Sequence, residues 1–372
     1  MNQTTNNKGF FSFGMDQRLV RVLSQSGFNV PTQIQEKVIP LAIAGKDVVG
    51  IAQTGTGKTL AFIVPMLQKL GSVSGIGLIM VPTRELALQI EEMAQEVGGP
   101  FGLRTAVLIG GTSLSRQKEM IRRQPHIIIG TPGRVNDHLN QKSLSLRNIK
   151  VLVLDEADRM LDIGFLPQIK RILQALPRER QTMLFSATMS NEIFSLASAY
   201  MIAPVRVEVA PAGTVAERVN QELFVISNMN KSRLLGKILN QYHGSVLVFC
   251  RTKFGAKKIS SIIRKINHTS AEIHSNRSLN QRREALEGFK SGKYRVLVGT
   301  DIAARGIDVS GIELVINYDL PEQAEDYVHR IGRTGRAGQP GLAISFATPD
   351  QRQKVRNIER LIRKPIAISK YE

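Results

Sequence analysis

The stretch that decides the fold of this chain is Lys150-Val-Leu-Val-Leu-Asp155-Glu156-Ala157-Asp158. Four apolar residues run without alternation into three carboxylates. Such a run predicts a strand that is buried on both faces of a parallel sheet. Open α/β sheets bind ligands at the carboxyl ends of their strands. Carboxylates there can hold hydrated Mg²⁺ and orient a water, as nucleotide hydrolysis requires. The alternative is a surface turn that happens to be acidic.

A glycine-rich loop upstream supplies the second half of such a site. A predicted strand ends at Ile51, a predicted helix begins at Leu60, and between them lies Ala52-Gln53-Thr54-Gly55-Thr56-Gly57-Lys58-Thr59. This is the context of a P-loop, in which backbone N–H groups bind phosphates, Lys58 reaches the β- and γ-phosphates and Thr59 ligates Mg²⁺. Ala52 replaces the usual first glycine. The acidic strand end follows Lys58 by 97 residues, in the order that a nucleotide site requires.

Length and charge narrow the class of protein. The 372 residues predict two domains. The net charge is +19, with 23 basic and 16 acidic residues as far as Val209 and 27 and 15 beyond it. Because both halves are basic, we expect a polyanionic partner, with nucleic acid favoured over a membrane surface. The alternative is that the charge serves only solubility.

The remaining composition predicts a cytoplasmic protein. The start of the chain, as far as Lys8, is polar, and no apolar run approaches the ~18–20 residues of a membrane span. The single cysteine, Cys250, ends the apolar run that begins at Val246, which predicts a core position. No disulfide can form within the chain, as suits a reducing compartment. The six histidines lack metal-ligand spacing, so we expect no zinc.

Further strand–helix units in the first half predict a parallel sheet with covering helices. Several predicted strand ends carry side chains or glycines that suit phosphate and sugar contacts, namely Arg84, Gly111, Thr131 and Arg134. Each is equally typical of a helix cap or a turn. Another strand leads into Ser186-Ala187-Thr188, and Gln35 carries an amide able to pair with a purine edge.

The segment from Pro204 to Glu217 breaks this pattern and predicts a short flexible linker. A second strand–helix series follows without a P-loop. It contains three arginines at three-residue spacing, Arg330, Arg333 and Arg336. Helical spacing predicts Arg330 and Arg333 on one face, and a solvated basic face is the ordinary interpretation. From Gln351 a basic helix is predicted to run to the end of the chain, either as the last helix of the domain or as an RNA-binding tail.

Asp155-Glu-Ala-Asp158, the glycine loop, Ser186-Ala-Thr188 and the segment with Pro31 and Gln35 resemble the motifs of DEAD-box RNA helicases, in family order and spacing. The resemblance implies an α/β fold of two RecA-like parallel-sheet domains in tandem, joined by a short flexible linker. We expect an N-terminal segment with the Q motif at 1–36, an ATP-binding domain at 37–209, the linker at 210–217 and a C-terminal domain at 218–372.

The resemblance also implies roles for individual residues, with ATP and Mg²⁺ as ligands. The residues implied to bind ATP are Phe10 (stacked on adenine), Gln35, Ala52, Gln53, Thr54, Gly55, Thr56, Gly57, Lys58, Thr59 and Asp308. Those implied in catalysis are Lys58, Asp155, Glu156, His329, Arg333 and Arg336, the last two as arginine fingers. Thr59 and Asp155 would hold Mg²⁺, largely through water, and Ser186 and Thr188 would couple hydrolysis to strand separation. The implied RNA contacts are Arg84, Gly111, Thr131, Arg134, Thr252, Arg282 and Thr300.

One loop departs from the family pattern. Ser275 stands where the family commonly has Gly after His274, and Leu279 stands where it has Gln, so only Arg282 is retained from this loop as an RNA contact.

The resemblance implies an RNA-stimulated ATPase that unwinds short RNA duplexes as two domains close over RNA and bend one strand. An ATP-dependent RNA clamp or annealer is the alternative, and a DNA-directed relative is the rival enzyme. Overall similarity leans toward bacterial RhlE-like members, with ribosome assembly or RNA decay as settings. We expect a monomer.

Overall fold

The computed structural model describes residues 9–53, 55–209, 219–301, 312–335 and 341–369. The chain divides into two compact units, Met1–Ala210 and Pro211–Glu372. The predicted linker at 210–217 lies outside the described residues. Each unit is built around one parallel sheet.

The first unit contains a seven-stranded sheet in the order β3-β4-β2-β5-β6-β1-β7, with every neighbouring pair parallel. Its strands are β1 Val48–Ile51, β2 Ile76–Met80, β3 Thr105–Leu108, β4 Ile127–Gly130, β5 Ile149–Leu154, β6 Gln181–Ser186 and β7 Val205–Glu208. Its helices are α1 Gln17–Gln25, α2 Gln33–Ile43, α3 Lys58–Ser72, α4 Arg84–Gly98, α5 Leu114–Arg122, α6 Pro132–Asn140, α7 Ala157–Asp162, α8 Leu166–Ala175 and α9 Asn191–Tyr200, with 3₁₀ turns at Phe10–Phe13 and Gly99–Phe101.

The second unit repeats this arrangement, with the order β10-β11-β9-β12-β13-β8-β14 and parallel pairs throughout. Its strands are β8 Val219–Val225, β9 Val246–Phe249, β10 Ser270–Ile273, β11 Val296–Gly299, β12 Leu314–Asn317, β13 Gly341–Ala347 and β14 Ala367–Ile368. Its described helices are α10 Lys231–Gln241, α11 Lys253–Lys265, α12 Leu279–Lys290, α13 Ala324–Ile331 and α14 Arg352–Ile362, with a 3₁₀ turn at Pro349–Gln351.

Counted from its own first strand, each unit has the same strand order. The central strands are apolar and buried, because both faces of a parallel sheet are covered. The predicted α/β fold with two parallel sheets in tandem is therefore confirmed. Since parallel strands end at the same edge of a sheet, each unit gathers the loops after its strands along one edge.

Three local predictions were wrong. The segment from Pro204 to Glu217 is predicted to break the strand–helix pattern, but its residues Val205–Glu208 form β7, which pairs with β1. The C-terminal helix does not run to the end of the chain: it ends at Ile362, because Arg363 takes a left-handed conformation at φ 54°, and β14 then pairs with β8. Helix α13 ends at Ile331, before Arg333, so Arg330 and Arg333 do not lie on one face of a helix.

Cys250 lies directly after β9 and is fully buried, as predicted for a core residue. Burial raises the pKa of its thiol to about 12, so it stays protonated and unreactive. None of the helices in the described ranges combines the length and the apolar run needed to cross a bilayer.

A close contact in the first sheet provides a test of the packing. A Cβ on Gly50, in β1, would lie 2.7 Å from two ring carbons of Phe185 on β6, and that ring packs 5.4 Å (centroid to centroid) from Phe62. We expect Gly50→Ala to destabilise the first unit by about 1–3 kcal/mol, since overpacking forces a buried ring to move. Gly71→Ala is the control: the new Cβ meets nothing within 4 Å. Urea unfolding measures both, and equal stability of the two variants would contradict the described packing.

Candidate functional site

The candidate site of the first unit lies at the carboxyl edge of three neighbouring strands. In the sheet, β5 pairs with β6 and β6 pairs with β1. Lys58 opens α3 after β1, Asp155 follows β5, and Ser186 ends β6. All three side chains are buried. The parallel sheet thus brings together residues that are separated by 97 and 31 positions in the sequence.

The glycine loop turns tightly into the N-terminus of α3. Gly55 and Gly57 have φ angles of 81° and 90°, which favour glycine. The Lys58 ammonium donates to the carbonyl of Ala52 at 3.0 Å, and the Thr56 hydroxyl donates to the carbonyl of Gln53 at 2.7 Å. Thr59 is half-buried in the first helical turn, and Thr54 lies outside the described residues. A helix N-terminus that begins with a lysine suits a phosphate group.

Gln35 binds the glycine loop directly. Its amide nitrogen donates to the carbonyl of Gly57 at 3.0 Å, and its amide oxygen accepts from the backbone N–H of Thr32 at 2.9 Å. The buried Gln35 therefore connects the loop to the start of α2. Phe10 is buried against Phe13 at a ring-centroid distance of 5.9 Å, so its stacking on adenine stays a prediction.

Asp155 is a buried acid whose charge is only partly balanced. Burial raises its pKa to about 6, and the Lys58 ammonium opposes that rise. Its carboxylate accepts the backbone N–H of Glu156 at 2.9 Å. A divalent cation would stabilise the ionised form of such a carboxylate, so Asp155 fits Mg²⁺, which prefers oxygen ligands. The hydroxyl of Thr59, in the first turn of α3, is an oxygen ligand of the same kind.

Glu156 is held in a fixed orientation. Its Oε2 lies 3.0 Å from Arg159 Nη1, and both side chains are buried. The backbone at Glu156 has φ 49°, a left-handed conformation that costs a non-glycine residue of order 1–3 kcal/mol. Strain of this kind persists where the surrounding structure imposes it, and, besides burial, the charge of the neighbouring Glu156 contributes to the raised pKa of Asp155.

The third carboxylate of the acidic stretch has a role that sequence reasoning missed. Asp158 Oδ2 accepts the backbone N–H groups of Ala187 and Thr188 at 2.9 and 3.1 Å. It therefore ties the loop after β6 to the strand end that carries Asp155. The buried Ser186 hydroxyl has no hydrogen-bond partner among the described residues. The adjacency of β5 and β6, which local sequence does not show, produces this link.

The predicted RNA contacts of the first unit lie after β2, β3 and β4, which are neighbours in the sheet. The guanidinium of Arg84 lies over Gly110 and Gly111, and a Cβ on Gly110 would lie 2.9 Å from it. Gly111 has φ 77°. Arg134 donates to the carbonyl of Thr112 at 3.3 Å. Thr131 is buried at the start of α6.

A buried histidine supports this group of loops, and it too was missed. His138 Nε2 lies 3.0 Å from the amide oxygen of Gln117, and Nδ1 lies 2.8 Å from the hydroxyl of Ser143. The Gln117 amide nitrogen in turn donates to the carbonyl of Ile109 at 2.8 Å and to the hydroxyl of Thr112. Burial lowers the pKa of His138, so a neutral imidazole, acting through Gln117, holds the loop after β3 in place.

In the second unit a lysine–aspartate pair occupies the place that corresponds to the candidate site of the first unit. Lys231 opens the helix after the first strand, as Lys58 does, and Asp319 follows β12 as Asp155 follows β5. The ammonium of Lys231 bonds Asp319 Oδ1 at 3.0 Å and the carbonyl of Tyr318 at 2.8 Å. The positive charge that would meet a phosphate is thereby satisfied internally.

Arg330 is a buried structural arginine, and the expected solvated face is wrong for it. It is 1% exposed and binds both carboxylate oxygens of Asp301, at 2.6 and 2.7 Å. It also donates to the carbonyl of Asp319 at 2.6 Å. Arg330 thus links the end of α13 to the segment with Thr300, which is half-buried after β11.

The remaining predicted residues of the second unit lie along the same edge or outside the described ranges. Arg333 is buried in the turn after α13, and His329 is half-buried within it. Thr252 caps α11, its hydroxyl accepting the N–H of Gly255 at 3.0 Å. Arg282 is buried in α12. Asp308 and Arg336 lie outside the described residues, so their roles stay predictions.

Two family models match the chain. The DEAD/DEAH box helicase model covers residues 32–196, and the helicase conserved C-terminal domain model covers residues 230–338. The chain is 41% identical over 358 residues to the ATP-dependent RNA helicase CshA of Listeria monocytogenes, covering 95% of this chain and 69% of that protein. It is 40% identical over 363 residues to the ATP-dependent rRNA helicase RRP3 of Debaryomyces hansenii, covering 96% and 76%.

Solved structures share the fold. The DEAD-box helicase Mss116 bound to ssRNA and UDP-BeF matches with a TM-score of 0.90 and 28% identity, over 98% of this chain and 79% of that one. Dbp5 of S. cerevisiae bound to RNA and ADP BeF3 matches with a TM-score of 0.87 and 29% identity, over 97% and 95%. The expected pair of RecA-like domains is confirmed.

The buried charge of Asp155 leads to a prediction of opposite effects on stability and activity. We expect Asp155→Asn to abolish ATP hydrolysis. We also expect it to stabilise the ligand-free protein at pH 8 by about 1–3 kcal/mol. The reason is that each unit by which burial raises the pKa of Asp155 corresponds to ~1.4 kcal/mol of cost for the ionised carboxylate in the folded protein. The gain is present above pH 6 and shrinks as the pH falls toward 4, where Asp155 is protonated in the folded protein. Thermal unfolding from pH 4 to 8 measures it.

Asp137→Asn is the matched control. The Asp137 side chain is 55% exposed, so the change in stability is expected to stay within about 0.5 kcal/mol. An Asp155→Asn variant that unfolds more easily than the parent at pH 8 would contradict this description of the site.

Proposed function

The chain belongs to the DEAD-box family of ATP-dependent RNA helicases, and we propose that it is an RNA-stimulated ATPase that separates short RNA duplexes. The observation that carries the proposal is the division of the catalytic residues. The glycine loop with Lys58 and the acidic strand end with Asp155 and Glu156 belong to the first unit, whereas Arg333 belongs to the second.

The first unit binds the substrate ATP in this proposal. Lys58 and the backbone amides of the glycine loop bind the phosphates, with Gln35 fixing the loop. Thr59 and Asp155 would hold Mg²⁺, partly through water, and bound Mg²⁺ would neutralise phosphate charge. Glu156 accepts a proton from the attacking water. The water oxygen bonds to the γ-phosphorus, the bond from that phosphorus to the bridging oxygen breaks, and ADP leaves.

Arg333 supplies a positive charge from the second unit in this proposal. We propose that Arg333, together with Arg336, meets the γ-phosphate when the two domains close. Arginine fingers are worth ~10³–10⁵ in rate, so hydrolysis is slow until closure occurs. RNA that contacts both domains favours closure, and ATP strengthens RNA binding in return, because linkage between two ligands is reciprocal.

The proposed RNA path follows the carboxyl edges of both sheets. Its first part is the group at Arg84, Gly111 and Arg134, and its second part includes Thr252 and Thr300. Phosphate contacts of this kind do not read sequence, and the 2′-hydroxyl distinguishes RNA from DNA. The Asp158 link to Ala187 and Thr188 gives a direct path from the ATP site to the loop after β6. Closure would bend one strand locally and release its complement.

Relatives named as rRNA helicases support structured RNA, such as ribosomal RNA, as the substrate. We propose the cytoplasm as the compartment and a monomer as the acting species. The one cysteine, Cys250, is free, which suits a reducing compartment, and each unit has its own hydrophobic core.

The direct test is ATP turnover at fixed salt with single-stranded RNA, with DNA of the same sequence, and without nucleic acid. Salt is fixed because phosphate contacts make affinity steeply salt-dependent. Stimulation by RNA alone is expected, and equal rates in all three conditions would reject the proposal. Strand displacement of a short RNA duplex then separates a helicase from a clamp or annealer, which would bind RNA with ATP but displace no strand.

Glu156→Gln separates binding from chemistry. The amide keeps the shape and can still meet Arg159, but it cannot accept the proton, so we expect turnover to fall by at least about 10²-fold while ATP-dependent RNA retention persists. Filter binding with ATP and RNA measures retention. Glu119→Gln, an exposed change on α5, is the control and is expected to behave as the parent. A variant that hydrolyses ATP normally, or loses RNA retention with ATP, would contradict the assigned role.

A further inference from the structure

Helix α11 presents an exposed aromatic ring beside a predicted RNA contact. Phe254, the second residue of α11, is 72% exposed, and Thr252 caps the same helix. The opposite face of α11 packs on the sheet through Ala256, Ile259 and Ile263. Phe254 therefore does not contribute to the core of the second unit, and its ring exposes apolar surface to water, which is unfavourable.

The surroundings of this ring are basic. Lys257 and Lys258 lie three and four residues further along α11 and are exposed on the same face as Phe254. The Lys253 ammonium lies 5.5 Å from the ring centroid and donates to the side-chain oxygen of Asn276 at 3.0 Å. Arg251 precedes the helix cap, where it pairs with Glu322 at 3.3 Å. One aromatic ring among several cations is complementary to a nucleobase and its neighbouring phosphates.

We propose that Phe254 is a stacking platform for one nucleobase of the RNA single strand that passes Thr252. The proposal rests on the RNA-binding function proposed above and adds a base contact to a path otherwise made of backbone contacts. Lys257 and Lys258 bind the phosphates that flank the stacked base. Stacking tolerates every base, since each has a π-face, so the contact strengthens binding without selecting a sequence.

Through a stacked base the second unit would also bind one RNA strand in preference to a duplex. A base inside an intact duplex is already stacked on its neighbours and cannot reach the ring. Phe254 therefore favours RNA that is single-stranded at this point, which distinguishes the platform from contacts that read only the phosphate chain.

The absence of tryptophan from the chain makes a direct optical test possible. Phe254→Trp introduces the sole indole, and stacking on a base quenches its fluorescence. The probe is a single-stranded RNA oligomer, compared with an oligomer of equal length and charge whose sugars carry no bases. Phe194→Trp is the matched control, since Phe194 is 61% exposed on α9 in the first unit. We expect quenching only at position 254 and only by RNA that carries bases.

A second measurement gives the strength of the contact. Base–aromatic stacking predicts that Phe254→Ala weakens RNA binding about 5- to 100-fold, whereas Phe254→Tyr stays close to the parent. The weaker binding is measured as a rise in the RNA concentration that gives half-maximal stimulation of the ATPase. Thermal unfolding of Phe254→Ala confirms that an exposed substitution leaves the fold intact.

The outcomes separate the two proposals. A parent without RNA stimulation defeats the proposed function. A stimulated parent whose Phe254→Ala variant binds RNA with unchanged affinity, or whose indole is quenched equally by the oligomer without bases, overturns the platform alone. The same unchanged affinity is what a protein-docking role for Phe254 would give, so that result also rejects the nucleobase as its occupant.

Discussion

The pairing of β5 with β6 and of β6 with β1 is the constraint on which the candidate site depends. It places the Lys58 ammonium and the Asp155 carboxylate at one buried edge, where a charge interacts strongly with its neighbours and weakly with water. The raised pKa of Asp155 and the strained backbone of Glu156 show that the ligand-free site is held in a costly arrangement. Such costs are typical of sites that are organised for a ligand before it binds.

The second unit uses the same strand order for a different purpose. Its lysine at the equivalent helix start is neutralised by Asp319, and Asp319 also accepts the backbone N–H of Arg251 at 3.1 Å and the guanidinium of Arg330 through its carbonyl. Asp319 therefore connects the start of α10, the segment before α11, and helix α13, which precedes Arg333. In the proposed function, the strand order that holds ATP in the first unit holds Arg333 and RNA contacts in the second.

Sequence reasoning predicted those features that local patterns encode. The unbroken apolar run before Asp155 predicted a buried parallel strand, and the glycines around Lys58 predicted a phosphate loop. The burial of Arg330 could not be predicted, because its partner Asp301 comes from another strand end. The same reason applies to Asp158, whose partners follow β6, and to His138, whose partner Gln117 lies on α5. The two-residue strand β14 carries no periodicity at all.

The proposed function requires that residues of both units complete one catalytic centre. Arg333→Ala in the intact chain tests it most directly, by measuring ATP affinity and the RNA-stimulated turnover of the same variant. We expect ATP affinity within a few-fold of the parent, since the first unit is proposed to bind the nucleotide, and a loss of stimulated turnover of about 10³-fold or more. Stimulated turnover close to that of the parent would show that the second unit contributes no finger, and would contradict the account.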